Sequence, residues 1–429
     1  MGSGCELETF CVCHYKEVRG NKKSICKAPR STRIFGVVME PFSLRGIRMK
    51  YRKLGKTGKI VSEIGLGLEN VDRKPYQRCK ETLEVALENG VNLLDVFMPG
   101  KEIRDNIAKA LGNRRKDVMI QGHIGSTDVN QQYDISRDMP TVKKYFEDLL
   151  QTFGGYIDFG MLFFVDSEED YRNVFETEFI TYAERLKKEG YIGHIGFSSH
   201  NPKTAMKVIK TGVPELMMFS INPAFDMLPV SEYVFDHFEK GFGADLFKGI
   251  DPVRNQLYQL CEQEEVAITV MKPLGAGKLL SKEHTPFKKP LTVPQCIHYA
   301  LSRPATVSVL PGCQTAKEMR EVLEYYKTTD KERDYTEAIS EYRNDFRGSC
   351  VYCSHCQPCP VEIDIATVMK YLDIAKFDLD NVPPSIHSHY RSLTRSGGEC
   401  ISCENCEKRC PFGVPIIQNM MEARRIFGK

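Results

Sequence analysis

From Glu63 onward, short apolar runs alternate with longer stretches in which apolar residues recur at helical spacing, and the alternation repeats about eight times. The runs are Ile64–Leu68, Asn92–Val96, Val118–Gly122, Gly160–Val165, His194–Ser198, Met217–Ile221, Ala267–Met271 and Val307–Leu310. Helical patterns between them include Thr82–Glu88, Val142–Leu150, Tyr171–Lys188, Pro202–Lys210, Asn255–Glu262, Pro294–Ser302 and Ala316–Tyr325. Strands this short and apolar, each followed by a helix, are buried on both faces and lie parallel. Eight such units in about 270 residues fit a (β/α)8 TIM barrel better than a doubly wound open sheet. Ahead of them, Met49 to Ser62 reads as a hairpin turning between Gly55 and Gly58.

The pattern changes at both ends. Residues 1–48 show neither period and read as an extension without regular structure; the irregular gaps between Cys5, Cys11, Cys13 and Cys26 give no reason to expect a metal site. The barrel is expected over 49–328, a charged helical linker over 329–345, and a small domain over 346–429. In that last domain Ile363, Ile365, Val368, Tyr371, Leu372 and Ile374 form a helical stripe, Pro383 breaks it, and Ile416 to Ile426 forms a final helix. A mainly helical small domain follows.

Composition narrows the partners. The chain has 429 residues, 41% hydrophobic and 27% charged, with a net charge of +2, as in ordinary soluble proteins. So small a charge gives no expectation of nucleic acid or an anionic membrane as partner. There is no apolar run long enough to span a membrane and no leader pattern, and a cytoplasmic location is expected.

Half of the cysteines fall in two runs near the end. The first is Cys350-Val-Tyr-Cys353-Ser-His-Cys356-Gln-Pro-Cys359-Pro360, and the second is Cys400-Ile-Ser-Cys403-Glu-Asn-Cys406-Glu-Lys-Arg-Cys410-Pro411. Three thiolates two residues apart, then a fourth before proline, is the spacing that wraps a cubane cluster, with the fourth ligand exchanged between runs. Cys350, Cys353, Cys356 and Cys410 would then hold one [4Fe–4S] cluster, and Cys400, Cys403, Cys406 and Cys359 the other. Tetrahedral zinc is the alternative for paired CxxC units, with disulfides behind it.

In a barrel of this kind, chemistry sits on the loops after the strand C-terminal ends. There lie Asp95, His123, Asp166, Ser198, Ser199, His200, Asn222, Lys272 and the turn Gly275 to Gly277. Asp95 and His123, on adjacent strands, form the preferred acid–base pair.

The barrel resembles the aldo/keto reductase family, and the whole chain resembles its branch with a C-terminal ferredoxin-like domain holding two [4Fe–4S] clusters. The resemblance rests on Tyr51-Arg-Lys-Leu-Gly-Lys-Thr-Gly, Val61-Ser-Glu-Ile-Gly-Leu-Gly, Asn92-Leu-Leu-Asp95, Tyr156-Ile-Asp158, Gly190-Tyr-Ile-Gly-His-Ile-Gly-Phe-Ser-Ser, Lys272-Pro-Leu-Gly-Ala-Gly and Val309-Leu-Pro-Gly312, in that order. It implies a tetrad of Asp, Tyr, Lys and His. Asp95 keeps its place, but Gly100, His123 and Phe163 stand at the other three. Glycine cannot donate a proton and phenylalanine cannot polarise a carbonyl, so carbonyl reduction by the usual route is not expected. His123, His200 and Lys272 are the local replacements, His123 first because imidazole titrates near neutrality.

The resemblance also implies a nicotinamide site at Ser198, Ser199 and Ser220. Dinucleotide phosphates would meet Gly275 and Gly277 and the turn from Gly312 to Thr315. NAD(P) and a flavin are both candidate cofactors, the flavin because hydride and single-electron chemistry need a converter between them. The reading is an iron–sulfur oxidoreductase acting on a small organic substrate and exchanging electrons with a ferredoxin or similar carrier. Two alternatives stand beside it: an electron-transfer or scaffold subunit with an inactive barrel, marked by a fully buried Asp95 and His123 with no cleft between them, and a conventional NAD(P)H-dependent carbonyl reductase.

Overall fold

The computed structural model describes residues 48–129, 132–227, 250–339 and, apart from 349, 351, 354–355, 378, 380–381 and 383, residues 348–429. The N-terminal extension up to residue 47, with Cys5, Cys11, Cys13 and Cys26, lies outside the described residues, as do residues 340–347 of the expected linker.

A two-stranded hairpin comes first, β1 (Tyr51–Lys53) against β2 (Ile60–Ser62), antiparallel. Its turn closes through Gly58 at φ 73°, a left-handed conformation that glycine adopts without strain. Leu54 and Val61, both fully buried, join a cluster with Leu93, Phe159, Leu216, Ala267 and Val307. The hairpin thereby plugs the barrel floor, where the strands begin.

The barrel strands are β3 (Leu66–Gly67), β4 (Leu93–Val96), β5 (Met119–Ile124), β8 (Ile157–Leu162), β9 (Ile192–Ser199), β10 (Leu216–Ser220), β11 (Ala267–Met271) and β12 (Thr306–Val309). They pair in parallel in that order. Parallel bridges from Ile64 to Val309 and from Gly67 to Gly312 join the last strand to the first. The result is the closed (β/α)8 TIM barrel that the apolar runs predict. Period-two alternation explains why each run reads as unbroken: in β8, Phe159 and Met161 pack in the lumen cluster while Leu162, on the alternate face, packs in the larger core, so all six residues are buried.

Three local differences from the pattern have simple causes. The fourth barrel strand begins three residues before the run that signals it, because Phe163 and Val165 extend it only by single backbone bonds to Ile124 and Ser198. The helix expected from Tyr171 to Lys188 is two, Glu168–Phe175 and Glu178–Lys188, because the Thr177 side chain accepts from the Phe179 amide and starts a new helix. A hairpin that the pattern misses, β6 (Ser126–Val129) with β7 (Gln132–Ile135), rises after β5.

The tail carries helices Ile365–Phe377, Pro384–Arg391, Asn405–Arg409 and Ile416–Phe427. Of the linker, Asp330–Arg333 forms one helical turn, capped by Thr329. Among the described residues no helix is long and apolar enough to cross a membrane.

Candidate functional site

At the upper end of β4 and β5, Asp95 and His123 face each other in the lumen, each 2% exposed. His123 Nε2 lies 2.8 Å from Asp95 Oδ1, and Gln121 Nε2 donates to the same oxygen at 3.1 Å. With Asp95 ionised, the imidazole proton sits on Nε2 and leaves Nδ1 as an acceptor. That Nδ1 is buried and has no partner, and the same is true of Gln121 Oε1. Aromatic rings close around the imidazole: Phe163 at 5.3 Å edge-on and Phe97 at 5.9 Å, with Tyr133 of the hairpin 5.1 Å from Phe97.

A second polar line crosses the next strands. Asp166 Oδ2 lies 2.7 Å from His200 Nδ1, and Asp166 Oδ1 accepts from the His200 amide at 2.6 Å and from Ser199 Oγ at 3.0 Å. The Asp166 carbonyl accepts from Asn201 Nδ2 and Thr204 Oγ1, which fixes the loop that carries the acid. His200 Nε2 then lies 2.8 Å from Lys272 Nζ at the end of β11. Burial works to raise the Asp166 carboxyl, but His200 and Ser199 outweigh it, and its pKa falls below 3.8. Burial lowers His200, and the neighbouring Lys272 charge lowers it further against the pull of Asp166. A neutral His200 keeps its proton on Nδ1 toward Asp166, so the Nε2 lone pair faces the lysine.

Lys272 is the most strained member. Its φ is 56°, in the left-handed region, where a long side chain costs on the order of 1 kcal/mol or more. Its carbonyl accepts from Asn222 Nδ2 at 2.9 Å and from the Gly275 amide at 3.0 Å, which holds that conformation. Burial brings its ammonium down to about 8, against the charges of Asp166 and Glu69. Glu69, on the loop after β3, acts electrostatically on both Lys272 and Asp95 and so ties the two polar lines to one mouth.

The residues expected to meet a nucleotide divide. Ser198 and Ser220 are buried with hydroxyls that have no partner. Ser199 instead serves Asp166. Gly275 and Gly277 have φ of 56° and 82°, and the space beside Gly277 is open. At the phosphate end the fit fails. Thr315 caps helix Ala316–Leu323, and the Glu318 carboxylate of that helix takes the Gln314 amide at 2.6 Å, so an internal anion already holds the place of a phosphate. Gly312 is packed against Asn70, whose Nδ2 donates to its carbonyl.

The eight tail cysteines line two cavities. One is bordered by Cys350, Cys353, Cys356 and Cys410, the other by Cys359, Cys400, Cys403 and Cys406. Ile365 and Ile416 border both and form the wall between them. Arg409 lines the second cavity and donates to the Cys356 and Pro358 carbonyls of the first loop, at 2.5 and 2.7 Å. Among the described residues, no three His, Cys, Asp or Glu side chains converge on a single-ion site.

These cavities are not at the mouth. Tyr352, between Cys350 and Cys353, packs its ring 5.2 Å from the guanidinium of Arg303, three residues before β12 begins. His389 lies 3.9 Å from Glu262, near the C-terminal end of helix Pro252–Gln263. Both contacts belong to the floor end, so the barrel height, about 17–20 Å for strands of this length, separates the cysteine cavities from Lys272. A buried chain spans that height: Arg303 stacks on Tyr299, whose hydroxyl donates to Asp226; Asp226 also holds Tyr258 and Arg254, and Arg254 donates to the Ser220 carbonyl at the top of β10.

Asp95 and His123, expected to pair across adjacent strands, lie in contact, and His200 and Lys272, expected singly, are bonded to each other. The part of Asp166 in orienting His200, and Glu69 and Tyr133, were not expected. Asp166 is signalled by its place after a strand; Glu69 and Tyr133 carry no signal before the loops are folded.

A closed parallel barrel with its polar side chains gathered at the strand ends defines the class, and the Aldo/keto reductase family pattern matches residues 63–295, more than half of the chain. The chain belongs to that family and is an oxidoreductase. It is similar to the uncharacterized oxidoreductase YqkF of Bacillus subtilis, 25% identical over 299 residues, covering 64% of this chain and 90% of that protein. The holo form of aldo-keto reductase AKR11C1 from Bacillus halodurans shares the fold at a TM-score of 0.53 and 21% identity, covering 69% of this chain and 96% of that one.

Proposed function

We propose that this chain is an iron–sulfur oxidoreductase. In this reading Cys350, Cys353, Cys356 and Cys410 hold one [4Fe–4S] cluster, Cys359, Cys400, Cys403 and Cys406 hold a second, and an organic substrate reacts at the barrel mouth. The carrying observation is the partition of thiols: each cavity takes three cysteines from one run and the fourth from the other. Soft thiolate donors grouped four to a cavity in an apolar surround, with the fourth exchanged between runs, suit a cubane. Bound there, each cluster supplies one-electron transfer.

The chain's own residues divide the remaining work. Arg409 clamps the two cysteine loops together through the Cys356 and Pro358 carbonyls. Ile401, which lines the second cavity, is 59% exposed, so that cavity has the thinner wall toward solvent and is the side a ferredoxin-like carrier would meet. At the mouth, His200 and Lys272 form the proton-handling pair, because Lys272 keeps part of its surface open. Asp95 and His123 are buried and bonded directly, which is the mark of the scaffold reading. That observation moves the reacting groups away from this pair without emptying the mouth of chemistry. A nicotinamide would find free hydroxyls at Ser198 and Ser220, but Glu318 opposes the phosphate end, so a bound dinucleotide is the weaker part of this reading. A cytoplasmic location suits oxygen-sensitive iron.

Anaerobic purification followed by iron and sulfide analysis tests the reading. About eight iron atoms and eight sulfides per chain are expected for two cubanes. Zinc in their place, or no metal with an intact fold, overturns it.

A further inference from the structure

Nucleophile, base and orienting acid within hydrogen-bond reach of one another form the arrangement that activates a weak nucleophile. Lys272 Nζ, His200 Nε2, His200 Nδ1 and Asp166 Oδ2 stand in that order, with separations of 2.8 Å and 2.7 Å across the two gaps. We propose that Lys272 forms an imine with an aldehyde or ketone substrate, with His200 as the base and Asp166 as the group that orients it.

Four observations carry this. The lysine stands at the C-terminal end of a barrel strand, where the fold puts its chemistry. Its 2.8 Å partner is an imidazole nitrogen, whose lone pair can take a proton from the amine. Its backbone is kept in the left-handed region by the Asn222 and Gly275 bonds, a strain that the loop maintains at this residue. The residue is half-buried, whereas Asp95 and His123 are closed in. Burial adds to these by bringing the ammonium down to about 8, so a larger share is free amine near neutrality than for a surface lysine.

The step balances without a redox partner. Neutral Nζ attacks the carbonyl carbon, forming the C–N bond while the C=O electron pair moves to oxygen. His200 carries one Nζ proton to that oxygen; the C–O bond then breaks, and both amine hydrogens leave in the expelled water as C=N forms. The neutral imine then takes a proton from water to become the cationic form, which the negative charges of Glu69 and Asp166 favour, while Arg254 acts on His200.

The inference rests on the mouth as the substrate site and is independent of the iron. Full-length protein is treated with propanal and sodium cyanoborohydride, and alkylated lysines are located by peptide mass mapping. Lys272 is expected to be alkylated at least about tenfold faster than any surface lysine at pH 7, with a rate that rises through pH about 8 instead of 10.5. His200→Asn is expected to slow Lys272 about tenfold or more and to leave the other lysines unchanged. Surface lysines labelled at their ordinary rate with Lys272 untouched, or no faster than they are, overturns the proposal. Iron counted on the same sample separates the two readings: labelled Lys272 in iron-free protein sinks the cluster reading alone, and unlabelled Lys272 in protein with about eight irons sinks this one alone.

Discussion

The two ends of this molecule are built by opposite means. At the floor end the cysteine cavities draw their donors from two stretches of chain, each only ten or eleven residues long, so chain spacing brings three sulfurs of each cavity together and only the fourth depends on the fold. At the mouth, Asp166, His200 and Lys272 come from three separate strand ends, and only closure of the barrel gives them a common purpose. A metal-type site can be local because its ligands need only a soft atom at a set reach. An acid–base site needs orientation as well, which here comes from distant backbone.

The sharpest way to break this contrast is to cut the crossing between the runs. Cys410→Ser is expected to remove the same cluster as Cys356→Ser, and Cys359→Ser the same as Cys403→Ser, each lowering iron from about eight to about four atoms per chain. Electron paramagnetic resonance of the reduced variants identifies which cluster survives. If Cys410→Ser and Cys403→Ser leave identical signals, each run holds its own cluster and the cavities have been misread. Loss of several kcal/mol of tail stability accompanies each change, since site formation and folding of the tail are linked.

The mouth should respond to a single buried acid. Asp166→Ala strips partners from the His200 amide, His200 Nδ1 and Ser199 Oγ together, at a cost of about 3 kcal/mol, read as a shift in urea midpoint. The pH dependence has a definite sign. Folded His200 lies below 6.5, so between its folded pKa and 6.5 the unfolded chain binds more protons, and stability falls as pH drops through that window. Asp166 adds a further loss below 3.8, where its carboxylate is protonated first in the unfolded chain. Unchanged urea midpoints between pH 7 and 5 would deny that His200 is held neutral.

Legibility follows the same division. Eight apolar runs gave the barrel because strands buried on both faces leave an unbroken signal, and the one displaced run, at β8, was displaced where Phe163 and Val165 continue as apolar, nearly extended chain. The three close cysteines of each cavity were readable because their geometry is one-dimensional. The bond between His200 and Lys272 was not, since 71 intervening residues carry no mark of it. Tyr133 was hidden differently, on a hairpin whose short polar strands look like loop.

Lys272 tests whether the mouth holds strain for a purpose. Its ammonium is lowered from 10.5 to about 8, so folding opposes its charge below that range. The unfolded chain binds the proton more readily between those values, and stability therefore falls as pH drops from 10.5 toward 8 and stays reduced below. Lys272→Met removes the charge and keeps most of the volume, and is expected to stabilise the fold by about 2 kcal/mol at pH 7 while abolishing reaction at the mouth. Destabilisation of similar size would show that the lysine is a structural tie.

The smallest effect concerns the nucleotide. Glu318 places a carboxylate on the Gln314 amide just ahead of helix Ala316–Leu323, which stabilises the helix start and also excludes a second anion from that amide. Glu318→Gln keeps the shape and removes the charge, so it should cost only about 0.5–1 kcal/mol of stability. If a dinucleotide binds at this mouth, its phosphate competes for that amide, and the variant should bind NADPH about tenfold more tightly by calorimetry, as loss of one close like charge near the surface allows. If binding is absent in both proteins, the free hydroxyls of Ser198 and Ser220 face substrate instead, and the barrel receives its electrons by a route other than nicotinamide. The buried line from Tyr352 through Arg303, Tyr299 and Asp226 to Arg254 would then be one connection between the two ends among the described residues.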